Sequence, residues 1–158
     1  MKKLLIIFFL KINFLHGFEV KCNFEEVYGN GEVQQGFFFL KNQKLRYEYF
    51  NKNLFTIIAK NEKFFLINQA HKNNVSKIDK NTEVLEMFMK IASDYPNLEN
   101  KYSHNNTNVI VEKSSNGFIK RVSINAENIN ASINLVNCVF EDIHDKYFNH
   151  FNFVEVSR

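Results

Sequence analysis

A mostly β fold, built on one antiparallel meandering sheet, is what the sequence predicts, and three observations carry that reading. The apolar runs are short and rich in Phe, Ile, Val and Tyr, residue types that suit a pleated surface. Turn chemistry bounds them, most clearly at Tyr28-Gly29-Asn30-Gly31 and Ser114-Ser115-Asn116-Gly117, where Asn-Gly supplies the positive φ angles of a tight turn. The runs also follow one another too closely for long crossover connections, which makes a meander the natural topology. A chain of 158 residues is the usual size for a single core, so one domain is expected.

Taken in order, residues 1–17 read differently from the rest. Lys2 and Lys3 precede an apolar run from Leu4 to Leu10, followed by Ile12, Phe14, Leu15 and the small Gly17. This is the layout of a secretory signal peptide cleaved near Gly17, leaving residues 18–158 as the mature domain. The alternative is an N-terminal strand or anchor helix, and the run falls short of the roughly 20 apolar residues that a spanning helix needs. Strands are then predicted near 19–27, 32–41, 44–50, 54–60, 63–68, 73–78, 98–103, 108–113, 118–126, 131–141 and 150–156. One segment breaks the pattern. Between 81 and 92, Val84, Leu85, Phe88, Ile91 and Ala92 recur at helical spacing and leave Glu83, Glu86 and Lys90 on the other face. Asn81 or Thr82 can cap this helix, and Pro96, the single proline, lies just beyond its end. Its apolar stripe must lie on the sheet.

The stretch GFFFLKNQKLRYEYF, residues 36–50, is denser in aromatics than a one-sided core requires. Phe37 to Leu40 is apolar on both faces, residues 44–50 set Leu45, Tyr47 and Tyr49 against Arg46, Glu48 and Phe50, and 63–68 sets Phe64 and Leu66 against Phe65 and Ile67. A solvated antiparallel sheet shows a cleaner polar face. Either a second layer covers this sheet or it curves around a hydrophobic space; ordinary packing against the helix is the plainest form of the first.

Charge and cysteine usage narrow the function classes. The signal segment contains Lys2, Lys3 and Lys11 and no carboxylate, so the 20 basic residues fall to 17 on its removal and match the 17 acidic ones. A neutral chain without a basic cluster argues against nucleic-acid binding, which phosphate neutralisation dominates. Two cysteines remain, Cys22 and Cys138. An even count in an exported chain points to a disulfide, the alternative being two unpaired buried thiols. Glu19-Val20-Lys21 lacks the small residues that a lipid-modified Cys22 requires, so the chain reads as soluble.

No catalytic or metal signature emerges. Cys138-Val139-Phe140-Glu141-Asp142-Ile143-His144-Asp145 collects ligand-type residues at spacings that fit no zinc or nucleophile pattern, and His144 and Asp145 read as a solvated turn. His71, His104 and His150 lie among Asn and Lys. Phosphate cradles, metalloprotease motifs and nucleophile elbows are missing, and so few glycines leave little to build a cradle from. The chain therefore reads as a binding protein, not an enzyme, with no cofactor and no metal.

Gly36-Phe37-Phe38-Phe39-Leu40-Lys41-Asn42-Gln43-Lys44-Leu45-Arg46-Tyr47-Glu48-Tyr49 resembles the signature segment of the periplasmic outer-membrane lipoprotein carrier family, a glycine and an aromatic strand, a lysine-arginine-proline corner, then a phenylalanine-arginine-tryptophan-glutamate-tyrosine strand. The likeness continues through Leu54, Ile57-Ile58-Ala59, Asn61-Glu62-Lys63, Phe64-Phe65-Leu66-Ile67-Asn68 and Asn74-Val75, the 82–92 helix, and the end with Ile133, Phe140, Tyr147-Phe148 and Phe151-Asn152-Phe153. It thus spans nearly all of the mature chain at the level of pattern. The chain departs from the family at Lys41-Asn42-Gln43, in the turn at Asn61-Glu62, which lacks its glycine, in having no tryptophan, and in lacking an N-terminal helix before the first strand.

The resemblance implies a strongly curved antiparallel sheet forming an incomplete β-barrel, with a helical lid over an apolar cavity. It implies a monomeric periplasmic carrier that takes lipoprotein acyl chains from an inner-membrane release complex and passes them to an outer-membrane receptor. Phe37, Phe39, Tyr47, Ile57, Phe65, Leu85 and Phe88 are the residues expected to line that cavity. Acyl chains need apolar area without hydrogen-bond partners, which Phe and Ile supply. Arg46 is then a rim or lid-holding group able to bond helix carbonyls, the alternative being an exposed strand Arg paired with Glu48 or Glu62. An envelope protein-binding or structural module with the same fold and a filled interior is the competing reading, and a small hydrolase or isomerase using the cavity is a third.

Overall fold

The computed structural model describes residues 18–71, 74–78 and 83–151. The expected signal segment, the expected capping residues Asn81 and Thr82, and most of the strand expected at 150–156 lie outside these residues. The first half of the chain is a meander of six strands, β1 (Glu19–Tyr28), β2 (Val33–Lys41), β3 (Lys44–Tyr49), β4 (Phe55–Lys60), β5 (Lys63–Asn68) and β6 (Val75–Ile78). Helix α1 (Glu83–Asp94) follows, and then a second meander, β7 (Lys101–His104), β8 (Thr107–Lys113), β9 (Ile119–Ala126) and β10 (Ile129–Phe140). β10 returns to pair with β1, so all ten strands form one antiparallel sheet in the order β6-β5-β4-β3-β2-β1-β10-β9-β8-β7. The sheet does not close: β6 and β7 are its edges. A 3₁₀ helix, Asp145–Phe148, stands where the sequence reads as a solvated turn, with His144 Nδ1 accepting the Lys146 amide at its start.

The tight turns follow residue chemistry in two ways. Asn42-Gln43 and Asn61-Glu62 are two-residue connections with both residues at positive φ, 45° and 64°, 50° and 58°. That is the mirror-type hairpin turn whose twist matches the strands, and Asn is among the residues that enter left-handed space most readily. The two Asn-Gly sites behave differently. Gly31 and Gly117 have φ of 85° and 82°, and their amides donate back to the Tyr28 and Ser114 carbonyls. There the glycine follows an ordinary turn, and it alone carries the left-handed angle that a side chain would resist.

Cys22 and Cys138 form a disulfide across β1 and β10. A bulge makes this pairing possible. Lys21 faces Val139 but Asn23 faces Val136, so β10 carries one extra residue opposite Cys22, and Asn137 absorbs it at φ 53°. An inserted residue inverts the alternation of everything beyond it. Ala131, Ile133 and Leu135 share the face of Cys22 before the bulge; after it, Cys138 does. The bond spans 116 residues, and by loop-closure entropy such a span stabilises by about 5 kcal/mol.

Two apolar layers cover the sheet, one on each face. On the face toward α1, the main core gathers Val20, Cys22, Phe24, Phe38, Leu40, Leu45, Tyr47, Ala59 and Phe64 with Met87, Ile91 and Ala92 of the helix and with Val109, Val111, Val122 and Ile133 of the second meander. On the other face, Phe37 and Phe39 pack with Ile143 and Phe148 of the segment after β10. The two alternatives left open by the aromatic stretch therefore both occur, on opposite sides of the same strands.

Candidate functional site

Between α1 and the sheet lies a cavity of about 280 Å³. Leu45, Tyr47 and Tyr49 of β3, Ile57 of β4 and Phe64 of β5 form one wall; Ile124, Ile129 and Ile133 of β9 and β10 form the other; Val84, Leu85 and Phe88 of α1 roof it, and Glu26 and Tyr28 of β1 lie between. In the sheet, β5 and β9 are six steps apart. At about 4.8 Å per step a flat sheet would hold them roughly 29 Å apart, too far to share so small a space. The sheet bends around the cavity.

Register explains which side chains reach it. Leu45, Tyr47 and Tyr49 pair with Leu40, Phe38 and Gly36, and Leu45 and Tyr47 pair on their other side with Ala59 and Ile57. Gly36 has a packing reason to be glycine: a Cβ there would stand 2.0 Å from the Glu48 carbonyl oxygen and 2.5 Å from the Phe24 ring. Phe24 lies over this gap and stacks on Tyr47 with ring centroids 3.9 Å apart, while Tyr49 meets both rings edge-on. The phenols are thereby aimed at one carboxylate. Tyr49 Oη donates to Glu26 Oε2 at 2.7 Å, and Tyr47 Oη donates to the same oxygen at 3.2 Å. Burial, and next the negative charge of Glu26, push the Tyr47 and Tyr49 phenols well above their ordinary range, and burial raises Tyr28. All three are hydroxyls at neutral pH. Glu26 is 7% exposed.

Helix α1 is held to the second meander at its first turn. Glu83 accepts from Asn105 Nδ2 at 2.7 Å and Thr107 Oγ1 at 2.8 Å, and these bonds, Asn105 first, hold its carboxyl below the usual range. Phe88 and Leu85 then meet the sheet through apolar contacts. At the open end of the cavity Ile129 is 40% exposed. There the cavity adjoins a groove of about 390 Å³ that shares Tyr28 and Ile129 with it and runs past Asn30, Glu127 and Asn128.

Of the residues expected to line the cavity, Tyr47, Ile57, Leu85 and Phe88 do so. Phe37, Phe39 and Phe65 stand on the opposite face. Phe39 pairs with Arg46 and Phe37 with Glu48, and Phe65 stacks on His150, 3.6 Å between ring centroids. A strand that is apolar on both sides gives no sign of which side faces in, so odd and even phenylalanines of β2 look alike in the sequence. Arg46, expected at a rim or in solvent, is 0% exposed on that same opposite face. Its Nε donates to Glu48 at 2.9 Å, its Nη2 makes a second bond to the same carboxylate, and its Nη1 donates to the Tyr147 carbonyl at 2.9 Å. Burial lowers the Arg46 pKa, and Glu48 opposes that shift. Sequence reading missed Glu26, Tyr28 and Tyr49 as site residues. The available signal was the alternation Val20, Cys22, Phe24, Glu26, Tyr28, in which a carboxylate takes an inward position.

Comparison with known proteins adds no relative: no protein-family model matches the chain, and no curated protein matches it in sequence.

Proposed function

We propose that the protein is an envelope carrier that shelters a lipid acyl chain in the cavity beneath α1, with the bent open sheet acting as an incomplete barrel and the helix as its lid. The observation that carries this reading is the cavity itself, walled by Leu45, Ile57, Phe64, Leu85, Phe88, Ile124 and Ile133 and held open between sheet and helix. Its volume is near the lower end of small-ligand sites, about 300–1,000 Å³, so it takes part of one chain before α1 has to move. Between the Glu83 anchor at its first turn and the Lys90 ammonium over the Tyr102 ring near its far end, the helix meets the sheet through apolar contacts, which suits a lid. A disulfide fits export to an oxidising compartment such as the periplasm. Lipoproteins as cargo, with a release complex at the inner membrane and a receptor at the outer one, extend the proposal along the resemblance drawn from the sequence. The competing module with a filled interior is disfavoured by the space under α1.

The test is binding of a fluorescent fatty-acyl probe to the purified protein. Wild type is expected to bind it and Leu85→Asp to lose it with an unchanged circular dichroism spectrum. Absence of acyl binding by folded wild type overturns the carrier reading. If binding holds, depletion of the protein followed by fractionation of lipoproteins between the two membranes tests the cargo.

A further inference from the structure

The cavity is apolar except where one carboxylate, Glu26, stands among tyrosine hydroxyls, and among the described residues that carboxylate has no cationic partner. The hydrogen bonds to Glu26 come from neutral phenols: Tyr47 and Tyr49 donate to Oε2, and the Tyr28 phenol also bonds the carboxylate. Among the described residues Glu26 has no ion pair, and no Lys, Arg or His lines either the cavity or the adjoining groove. The groove adds a second carboxylate, Glu127. Placing a carboxylate in a largely apolar space costs free energy unless something compensates it, and an opposite charge compensates best. The aromatic rings beside it are also of a kind that attracts cations to their faces.

We infer that the preferred ligand is a cationic amphiphile, its hydrocarbon chain under α1 and its ammonium group against Glu26 between Tyr28 and Tyr49. This rests on the carrier reading for the chain-binding half and goes beyond it for the head group. A purely acyl-binding cavity would have no use for a carboxylate on its wall, whereas here Glu26 stands on that wall one inward position along β1 from Tyr28, which the cavity shares with the groove. A primary ammonium donates hydrogen bonds to the carboxylate; a trimethylammonium relies on charge and ring faces.

The experiment measures displacement of the neutral probe N-phenyl-1-naphthylamine from the purified protein by dodecylammonium, dodecyltrimethylammonium, 1-dodecanol and dodecyl sulfate, each below its aggregation threshold. A charge-assisted contact predicts that dodecylammonium binds about tenfold or more tighter than dodecanol, with dodecyl sulfate weakest. Glu26→Gln keeps the shape and removes the charge, so it should erase the preference and leave dodecanol binding in place; Glu127→Gln should retain most of it. Equal binding of dodecylammonium and dodecanol by wild type overturns the head-group assignment while leaving the carrier reading intact. Failure of the naphthylamine and all four amphiphiles to bind overturns the carrier reading as well. The wild-type comparison decides the matter even if Glu26→Gln does not fold.

Discussion

Both faces of strands β2 to β5 carry aromatic and aliphatic side chains, the inner face more of them, and the two have opposite fates. On the outer face, the segment after β10 closes down on Phe37 and Phe39, Phe148 is 0% exposed, and the charged groups beneath are tied into bonds, while the buried Thr56 hydroxyl has no hydrogen-bond partner among the described residues. Arg46 and Glu48 satisfy each other and the Tyr147 carbonyl. Lys41 bonds the Ile143 carbonyl at 2.6 Å and pairs with Glu19 at 3.1 Å. On the inner face the bend of the sheet and the width of one helix leave a void that side chains do not fill. Irregular chain can settle onto whatever relief a sheet offers, side chain by side chain, whereas a helix presents a straight ridge to a curved surface and touches it only in part. The lesson is that apolar content sets how much surface must be covered, and the covering element decides whether the result is a core or a cavity.

If the outer face is a finished core, breaking it should be costly. Arg46→Ala leaves Glu48 buried without its partner, and loss of one member of such a pair costs about 3–5 kcal/mol. Urea unfolding is expected to show that loss, and the double substitution Arg46→Met with Glu48→Leu should recover more than half of it. A cost of about 1 kcal/mol or less for Arg46→Ala would mean that the pair behaves like a surface bridge and the outer face is not closed.

A paired truncation sharpens the contrast. Phe39→Ala removes a fully packed ring and should cost about 3–5 kcal/mol, whereas Leu85→Ala only enlarges an existing cavity and should cost about 1 kcal/mol. Binding of the acyl probe should respond in the opposite order, weakened by Leu85→Ala and retained by Phe39→Ala at temperatures where it is folded. Equal stability losses at the two sites would erase the distinction between faces.

The smallest effect concerns pH. Lys44, which pairs with Asp145 at 3.0 Å, lowers the Asp145 carboxyl below its ordinary range against slight burial, and Lys41 adds to the lowering. A carboxyl that is more acidic in the folded protein stabilises above the unfolded value of about 3.9, and that contribution disappears as pH falls through the folded value. Asp145 is well exposed, so the effect is small. Asp145→Asn should lower the melting temperature slightly at about pH 7 and leave it unchanged at about pH 2. An equal deficit at both pH values would assign the loss to the 3₁₀ turn and not to charge.

Much of the molecule was legible before any coordinates. Ten strand positions, the amphipathic helix expected between 81 and 92 and found at Glu83–Asp94, and the pairing of Cys22 with Cys138 follow from period, turn residues and cysteine count, because each depends on neighbours along the chain or on a single possible partner. Strand boundaries shifted where a residue serves another purpose: Leu98, expected to open a strand, is instead a buried residue ahead of β7 (Lys101–His104). The site was legible by halves. Tyr47, Ile57, Leu85 and Phe88 sit on elements with a readable face. Phe37, Phe39 and Phe65 do not, since in a two-sided apolar strand the inward direction is fixed by which element arrives to cover it.

Local residue chemistry by itself determined the strands, the turns, the helix and the disulfide partners, since backbone preference and hydrophobic period act over a few residues. Only the tertiary structure decided which phenylalanines became core, that Arg46 was buried, and that Glu26 came to lie among tyrosines on the cavity wall. The reason is physical: those outcomes depend on the bend of the sheet, on one bulged residue at Asn137, and on the return of the chain after β10, none of which leaves a periodic trace in the sequence.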